Sequence, residues 1–476
     1  MSAPDAKVAQ KPALTRIAGE FVHLSAARTG EFASSDAQLN RIHNLILAAI
    51  DSNLHSVITD CPHREKLGWL EQTHLLGNSL MYNYDLSQLY EKLADDMQDA
   101  QLANGLVPDI APEFVQFEKG FRDSPEWGSA AILAVWTAYQ QYGDQRILTD
   151  HYEMMKRYAE YLGSTAKGGI VSHGLGDWYD IGPGEPGESK LTGRGLTATA
   201  IYFQDLVTLE KVAAVLNKHE DAQNDARQAN EVRAAFHAKL FHADKNEYDS
   251  GSQTANAMPL AVGLVDDSAK AAVLEHLVAD IRKRENHVTA GDVGFHYVVT
   301  ALLEGGRSSV LYDMISRNDN PSYGYQLQRG ATTLTEAWDT NPSSSQNHFM
   351  LGHIEEWFHR GLAGVSINMA MARQRAEQIV IRPRIAGDVA WARDSQDSVL
   401  GKIASEWKRK GGTLALEVTI PVNARATIYV PVKTAGHVKE NGRAIPQSTE
   451  IKKLGVAEET EIFEVGSGVY HFESDF

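Results

Sequence analysis

The chain has 476 residues, of which 43% are apolar and 22% are charged, a length and composition typical of a folded protein with more than one domain. Its 45 Lys and Arg residues are outnumbered by 62 Asp and Glu residues. The resulting net charge of -17 argues against nucleic acid or an anionic membrane as a partner, because both need a cationic face.

The N-terminus and the cysteine content bear on the compartment. Residues 1–11 lack the apolar stretch of a signal peptide, and no run of the sequence is long enough to span a bilayer. The single cysteine, Cys61, excludes an intrachain disulfide and fits a reducing compartment. We therefore expect a soluble chain, cytoplasmic or periplasmic, with no membrane partner.

Apolar residues recur at helical spacing from residue 36 to about residue 370, and this pattern predicts roughly ten to twelve helices. The first helix is expected to begin after Ser35 or Asp36 as its N-cap, and a later one is predicted over residues 292–304. Long polar loops separate helix pairs at residues 104–126, 168–195 and 318–347. Because such loops often carry function in helical proteins, we expect the site among them.

The pattern changes near residue 376. Residues 414–420 alternate between apolar and polar side chains, as in a strand with one buried face. Asn441-Gly442 is a signal for a hairpin turn between two strands. The predicted domains are a disordered lead-in, a helical domain and a β-sandwich, over residues 1–17, 18–375 and 376–476.

The segment from Asp60 to Gln72 concentrates chemically useful groups. It reads Asp-Cys-Pro-His-Arg-Glu-Lys-Leu-Gly-Trp-Leu-Glu-Gln. Pro62 and Gly68 argue against a continuous helix, so we expect a loop that leads into a helix near Trp69. A charged surface loop would have a similar composition, but a large aromatic residue among charges often stacks on a ligand.

A second candidate is Glu336, which lies between small and aromatic residues. The acidic first turn of a helix is the alternative interpretation. Further polar–aromatic runs are Glu126-Trp127, Asp177-Trp178-Tyr179-Asp180 and Tyr323-Gly324-Tyr325. Aromatic rings can cover the apolar face of a sugar while charged groups bind its hydroxyls, so these runs together favour a carbohydrate site.

Two rival motifs are rejected. Residues 182–187 match the dinucleotide-binding pattern GxGxxG, but their prolines and the lack of a preceding apolar strand exclude the required geometry. His348, His353 and His359 lack the spacing of a zinc-binding HExxH motif, and we interpret them as histidines satisfied within helices. No metal and no cofactor are expected.

The run Asp60-Cys61-Pro62-x-Arg64-Glu65-x-x-Gly68-Trp69 resembles the hallmark of the bacterial α-L-rhamnosidases of glycoside hydrolase family 78. Further segments resemble that family in the same order along the chain: Pro125-Glu126-Trp127-Gly128, Gly176-Asp177-Trp178, Thr332-Thr333-x-x-Glu336-x-Trp338-Asp339 and Asn347-His348. The resemblance covers about residues 18–476. It implies a mainly α fold, an (α/α)6 barrel of helical hairpins followed by a C-terminal antiparallel β-sandwich.

The resemblance also implies a reaction, the hydrolysis of terminal α-L-rhamnosyl bonds with inversion. The substrate would be a rhamnose-containing oligosaccharide, polysaccharide or glycoside. Glu65 would be the general acid, with a pKa raised by Asp60, and Glu336 the general base, about 6.5–9.5 Å away so that a water fits between them. The residues expected to hold or line the sugar are Asp60, Arg64, Trp69, Glu71, Gln72, Trp127, Asp177, Trp178, Trp338 and His348.

Three positions depart from the family pattern. Gln72 stands where a sugar-binding Asp is usual, Ser129 where an Asp is common, and Thr335 where a Trp is common. These departures leave two alternatives open, the same barrel acting on another sugar and a non-catalytic glycan-binding protein. The presence of both Glu65 and Glu336 favours the hydrolase.

Overall fold

The computed structural model describes residues 13–371, 375–445 and 451–476. Of the predicted lead-in, residues 1–12 lie outside this range, and residues 13–27 contain no regular secondary structure. Among the helices of the described residues, none combines the length and the apolar composition that a membrane span requires.

A helical body occupies the first three quarters of the chain. Its helices are α1 (Ala37–Asn53), α2 (Glu71–Leu75), α3 (Gly77–Met81), α4 (Ser87–Ala100), α5 (Pro125–Gly128), α6 (Ala130–Tyr142), α7 (Arg146–Thr165), α8 (Arg194–Val215), α9 (His219–Leu240), α10 (Gln253–Val262), α11 (Asp267–Lys283), α12 (Gly294–Glu304), α13 (Ser308–Ile315), α14 (Tyr323–Gln328) and α15 (Ile354–Glu356). A π-helix, Trp357–Ala363, continues α15. Within the described residues, the helices of at least eight residues are α1, α4 and α6–α13, in line with the predicted number.

Helix α1 begins where its sequence predicts. The Asp36 side chain accepts hydrogen bonds from the backbone N–H groups of Gln38 and Leu39, which have no partner inside the helix. Replacing such a cap by alanine typically costs about 1 kcal/mol of stability. Of the two predicted caps, Asp36 is therefore confirmed.

Consecutive helices pack as inner and outer partners. Helix α8 contacts α9, and α10 contacts α11. Most residues of α8 and α10 are buried, whereas α9 and α11 each bury only three residues. A helix that is buried on nearly all sides belongs to the interior, and one with a narrow apolar stripe covers it from outside. This two-layer arrangement leaves the connecting loops free to shape a site at the end of the inner layer.

The β-domain contains two packed sheets. The strands of the described residues, including a short hairpin (β2 and β3) in the helical body, are β1 (Gly30–Ser34), β2 (Phe241–His242), β3 (Glu247–Tyr248), β4 (Val365–Ile367), β5 (Ile379–Ile381), β6 (Trp391–Ser398), β7 (Gly401–Lys410), β8 (Thr413–Ile420), β9 (Ala426–Pro431), β10 (Lys439–Glu440), β11 (Arg443–Ala444), β12 (Ile451–Ala457), β13 (Thr460–Val465) and β14 (Gly468–Asp475). One sheet has the order β1-β6-β7-β8-β14-β10-β11 and the other β12-β13-β9-β5-β4.

Details of the sheets refine the predicted sandwich. Within the part of the chain that the structure describes, the paired strands are antiparallel except β5 and β9. These two run parallel because the chain crosses to the other sheet between them. Strand β1, from before the helical body, pairs with β6. The predicted turn at Asn441-Gly442 joins β10 to β11 with positive φ at both residues, as a type I′ turn requires. The domain boundary between residues 375 and 376 stays a prediction.

A buried group of four charged or titratable side chains lies where the helical body meets the β-domain. We call His43, Glu355, His359 and Asp394 the interdomain cluster. His43 Nδ1 lies 2.7 Å and His359 Nε2 3.1 Å from Glu355 Oε1, and His359 Nδ1 lies 2.9 Å from Asp394 Oδ1 on β6. Each member is bonded to another member, so the cluster ties the two domains together.

Candidate active site

The loop that carries Glu65 is closed on itself. The Asp60 backbone N–H donates to Leu67 O at 2.8 Å, and these two residues form an isolated β-bridge. Cys61 and Lys66 adopt positive φ values of 50° and 63°, which lets the chain reverse between the bridge residues. The predicted loop before Trp69 is therefore confirmed, and α2 begins at Glu71.

Trp69 fixes the position of Glu65. Trp69 forms a β-bridge with Ile110, so the segment is pinned to the long loop over residues 104–126. The buried indole donates through Nε1 to Glu65 Oε2 at 2.9 Å. Glu65 itself is exposed on its other side, where a ligand can reach it. The indole hydrogen bond thus orients the carboxyl group without enclosing it.

Glu336 is held on a different loop. Its backbone N–H donates to Ser345 O at 2.9 Å, and the Ser345 N–H donates to Glu336 Oε2 at 2.6 Å. Arg64 links the two loops, since its Nη1 lies 3.8 Å from Glu336 Oε2 and its Nη2 donates to Ser343 O at 2.5 Å. The two glutamates therefore belong to loops that contact each other.

Both glutamates line a single cavity of about 180 Å³. This volume is smaller than the roughly 300–1,000 Å³ of pockets for drug-sized ligands and suits one sugar ring. The carboxyl groups in its wall are Asp60, Glu65, Glu71, Asp292 and Glu336. The aromatic rings are Trp69, Phe117, Phe121, Trp127 and Trp178. His348 and Leu175 complete the lining.

A chain of ring contacts forms one wall of the cavity. Trp69 and Phe117 have centroids 5.3 Å apart, Phe117 and Phe121 6.3 Å, and Phe121 and Trp178 5.4 Å. Phe117 and Phe121, Trp178, and Glu336 come from the three predicted polar loops, so each of these loops contributes to the cavity lining. A larger cavity of about 590 Å³ lies near β1 and β7, but neither glutamate lines it.

Four predicted site residues lie outside the cavity lining. Arg64 is exposed and contacts Glu336 as described above. Gln72 is fully buried, and neither atom of its amide has a hydrogen-bond partner within the described residues. Trp338 is buried against Tyr323 at a centroid distance of 5.0 Å. The predicted contacts of these side chains with a sugar stay predictions.

Asp177, the fourth of them, is a buried anchor. Its carboxyl accepts from Thr254 Oγ1 at 2.5 Å and from the backbone N–H groups of Gly291 and Gly294 at 3.1 and 2.7 Å. Burial raises its pKa to about 7, partly offset by these hydrogen bonds. A Cβ on Gly291 would lie 2.1 Å from Trp178 O, so only glycine fits there. Asp177 therefore shapes the loop that carries Asp292.

Asp60 and His348 form a buried ion pair in the cavity wall, with Nε2 and Oδ1 2.7 Å apart. Burial opposes both charges, but Asp60 raises the pKa of His348 to about 10, and His348 lowers the pKa of Asp60. The Met350 N–H points at Nδ1 from 3.3 Å, which is too long to outweigh the ion pair. A fixed charge pair thus lies beside Glu65.

The remaining acids of the cavity have raised pKa values. Partial burial and the charge of Asp60 raise the pKa of Glu65, which confirms the expected influence of Asp60. Burial, and then the charge of Asp60, raises the pKa of Glu71 well above its usual value. Burial also raises the pKa of Asp292 well above the usual range. These acids therefore keep their protons at higher pH than ordinary carboxyl groups do.

Asp292, Phe117 and Phe121 were not predicted. The sequence pattern places Asp292 inside a helix, whereas α12 begins only at Gly294. The two glycines that flank Asp292, at 291 and 294, were the available signal, because paired glycines at a helix start mark a tight loop.

The departures from the family pattern lie away from the cavity lining. The Ser129 hydroxyl donates to buried Asp205 at 2.6 Å, and the Thr335 hydroxyl donates to Ala337 O at 2.7 Å. Both side chains are satisfied inside the helical body.

Within the described residues, two groups have metal-ligand chemistry, Asp60-Cys61-His348 and three members of the interdomain cluster. Members of both groups pair with one another.

Comparison with known proteins identifies relatives of both the helical body and the β-domain. The family model of the bacterial alpha-L-rhamnosidase 6 hairpin glycosidase domain matches residues 27–362. The model of the bacterial alpha-L-rhamnosidase C-terminal domain matches residues 377–444. An alpha-L-rhamnosidase of Streptomyces avermitilis is 29% identical over 473 residues, which are 97% of this chain and 44% of that protein. One of Formosa agariphila is 26% identical over 477 residues, 98% of this chain and 51% of that protein.

Solved structures agree with these matches. An alpha-L-rhamnosidase from Dictyoglumus thermophilum superposes with a TM-score of 0.88 at 32% identity, over 98% of this chain and 52% of that chain. The Streptomyces avermitilis alpha-L-rhamnosidase complexed with L-rhamnose superposes with a TM-score of 0.85 at 27% identity, over 95% of this chain and 42% of that chain. The chain spans about half the length of the curated relatives it matches. The predicted helical-hairpin barrel with a C-terminal β-domain is confirmed, and the chain belongs to the bacterial α-L-rhamnosidase six-hairpin glycosidase family.

Proposed function

We propose that the chain hydrolyses terminal α-L-rhamnosyl bonds with inversion, using Glu65 as the general acid and Glu336 as the general base. The observation that carries the proposal is that both glutamates line one sugar-sized cavity while lying on different loops. The names of the relatives support the sugar, and one relative's structure contains L-rhamnose.

The surroundings of the two glutamates support their different roles. Partial burial and Asp60 raise the pKa of Glu65, so this group keeps its proton at higher pH than an ordinary glutamate. Glu336 accepts the Ser345 N–H and faces the Arg64 guanidinium, and both contacts stabilise a negative charge. One protonated and one ionised carboxyl group are what an inverting site requires.

The reaction follows from these two states. Glu65 donates its proton to the glycosidic oxygen as the bond from that oxygen to the anomeric carbon breaks. Glu336 removes a proton from a water that attacks the anomeric carbon from the opposite face. The products are the free alcohol and a sugar of inverted configuration, and proton exchange with solvent resets both glutamates.

The rest of the cavity suits a monosaccharide ring. The aromatic wall offers flat apolar surface to the C–H face of the sugar. The Asp60–His348 ion pair presents charged groups that hydrogen-bond strongly to hydroxyls. The proposed substrate is therefore a rhamnose-containing oligosaccharide, polysaccharide or glycoside with the rhamnose at its terminus.

Proton NMR of the first-formed product tests the reaction on this chain itself. With an aryl α-L-rhamnoside as substrate, we expect β-L-rhamnose to appear first and α-L-rhamnose to follow by mutarotation. The α anomer appearing first would contradict inversion. Turnover of a different aryl glycoside but not the rhamnoside would identify another sugar, and glycan binding without hydrolysis at any pH would indicate a non-catalytic protein.

A further inference from the structure

Two acids at the cavity lie deeper than the proposed catalytic pair. We call Glu71 and Asp292 the floor acids. Both side chains are buried, at 3% and 2% exposure, and both line the cavity. Both residues line the same cavity, and the charge of Asp292 contributes to the raised pKa of Glu71.

Each floor acid has a carboxyl oxygen that forms no hydrogen bond with the described residues. Glu71 Oε2 and Asp292 Oδ1 are buried and have no hydrogen-bond partner within the described residues. Leaving a buried polar atom unpaired costs stability, and native proteins therefore satisfy nearly all of them. An incompletely bonded carboxyl group in the lining of a ligand-sized cavity is an exception that a ligand can explain.

Hydrogen bonds hold the backbone around Asp292 in place, so the position of its side chain in the cavity lining is fixed. The Asp292 N–H donates to Trp178 O at 2.7 Å, and His353 Nε2 lies 2.7 Å from Asp292 O. Gly291 and Gly294 on either side donate to Asp177. Four contacts thus fix the main chain while the carboxyl group is left for the cavity.

We infer that Asp292 is a specificity-determining residue of the site, and that its carboxyl group hydrogen-bonds one ring hydroxyl of the bound sugar beside Glu71. This inference rests on the proposed function. A carboxyl group accepts hydrogen bonds and, when it is protonated, also donates one, and a hydroxyl offers the complementary pair of bonds. A site built to bind a hydroxyl rejects analogues that lack it, because its own polar groups are then left unpaired.

A variant series tests the inference. The variants are Asp292→Ala, which removes the carboxyl group, and Asp292→Asn, which keeps a donor and an acceptor in the same shape. The control is Asp205→Asn, a buried aspartate of α8 that lies outside the cavity lining and whose pKa burial also raises. Each protein is assayed on an aryl α-L-rhamnoside and on its three monodeoxy analogues, each lacking one ring hydroxyl.

We expect Asp292→Ala to lower kcat/KM by about tenfold or more on the parent rhamnoside, the usual loss for a hydrogen bond to a substrate hydroxyl. One of the three deoxy analogues lacks the hydroxyl that Asp292 is proposed to bind. On that analogue the wild type should already be impaired, and Asp292→Ala should cause little further loss. With the other two analogues, the full loss should remain. Asp292→Asn should retain most activity, and Asp205→Asn should match the wild type.

Equal losses on all three analogues would overturn the inference, because they would indicate a general disturbance of the site. Unchanged activity of Asp292→Ala would overturn it as well. Calorimetric binding of L-rhamnose separates the two proposals. A wild type that binds rhamnose without hydrolysing the glycoside refutes the proposed reaction, and loss of that binding in Asp292→Ala but not in Asp205→Asn would still support the role of Asp292.

Discussion

The floor acids and the interdomain cluster are both buried groups of titratable side chains, and they differ in how their hydrogen bonds are met. In the interdomain cluster, every member is bonded to another member, and the group lies between two domains. Glu355 Oε2 has no hydrogen-bond partner within the described residues, but Glu355 Oε1 is shared by both histidines. The carboxyl groups of the floor acids, in contrast, form no ion pair within the described residues, and both line the sugar-sized cavity. The same chemistry thus serves cohesion in one place and leaves bonding capacity free in the other.

The difference has an energetic meaning. Removing the shared carboxylate of a buried ion-pair network leaves uncompensated charge and is strongly destabilising. An unpaired buried carboxyl group, in contrast, lowers the stability of the free protein and gains only when a ligand arrives. Substitutions in the interdomain cluster should therefore reduce stability, whereas substitutions at the cavity should reduce activity and leave stability intact or raise it.

The proposed catalytic pair should give the largest effect. We expect Glu65→Gln and Glu336→Gln each to lower kcat on an aryl α-L-rhamnoside by about 10²–10⁴-fold, the usual contribution of a general acid or base. The thermal midpoint of both variants should stay close to that of the wild type. Initial rates and calorimetry measure the two quantities, with Glu231→Gln on the exposed face of α9 as the control. Near wild-type turnover by either variant would refute its role.

The interdomain cluster should show the opposite profile. Glu355→Ala leaves two buried histidines without their shared carboxylate, and we expect the free energy of unfolding to fall by about 3–5 kcal/mol. Glu458→Ala removes the ion pairs of this exposed glutamate with Arg382 and Arg384 and should cost about 1 kcal/mol or less for each pair. Urea unfolding provides the comparison, and equal losses in the two variants would remove the distinction between the regions.

The stability contribution of the cluster should also depend on pH. Burial opposes ionisation of Glu355, but His43 and His359 lower its pKa from 4.5 to about 2. Asp394 and Glu355 raise the pKa of His359 from 6.5 to about 10 against burial. A lowered acid pKa stabilises above the unfolded value, and a raised histidine pKa stabilises below it, so both contributions are complete between about pH 4.5 and 6.5. The stability lost by Glu355→Ala should be greatest there and shrink as the pH falls towards 2.

A floor acid should give a smaller effect of the opposite sign on stability. The pKa of Glu71 is raised well above 4.5, so the wild type loses stability as the pH rises above that value, because only the unfolded state ionises readily. Glu71→Gln does not titrate, and its thermal midpoint should exceed that of the wild type by a margin that grows as the pH rises above 4.5. The activity of Glu71→Gln should nevertheless be lower than that of the wild type. A midpoint below the wild type at pH 8 would contradict this view of the floor acids.

The smallest expected effect is a change in the pH profile. Asp60 raises the pKa of Glu65, so Asp60→Asn should move the alkaline limb of kcat/KM to lower pH by about one unit or less. The position of the limb is independent of how much activity remains, which separates this influence from any loss of binding. An alkaline limb that stays in place would show that burial alone sets the pKa of Glu65.

The sequence predicted those parts of the molecule that local patterns determine. Asp36 caps α1 because a short acidic side chain precedes an amphipathic run, and Asn441-Gly442 turns a hairpin because both residues accept positive φ. The segments around Glu65 and Glu336 were singled out from their residues, and their roles came from the family resemblance. The structure brings both glutamates to one cavity.

The missed features depend on contacts between segments far apart in sequence. Asp292 was assigned to a helix, but α12 begins only at Gly294. The N–H of Gly294 donates to Asp177, which lies more than a hundred residues away and is not visible in the local pattern. Asp177 itself was predicted to hold sugar, yet its oxygens are used by the protein. No local pattern distinguishes an aspartate that faces a ligand from one that organises a loop behind it.

The most direct measurement is a crystal structure of the Glu65→Gln variant soaked with an aryl α-L-rhamnoside. Our account predicts one sugar ring in the cavity between residues 65 and 336, with the glycosidic oxygen beside the substituted side chain at position 65. The terminal side-chain carbons of the two residues should lie about 6.5–9.5 Å apart. One ring hydroxyl should lie within hydrogen-bonding distance of Asp292. A sugar bound at another surface, or a ring with both residues on the same face, would contradict the account.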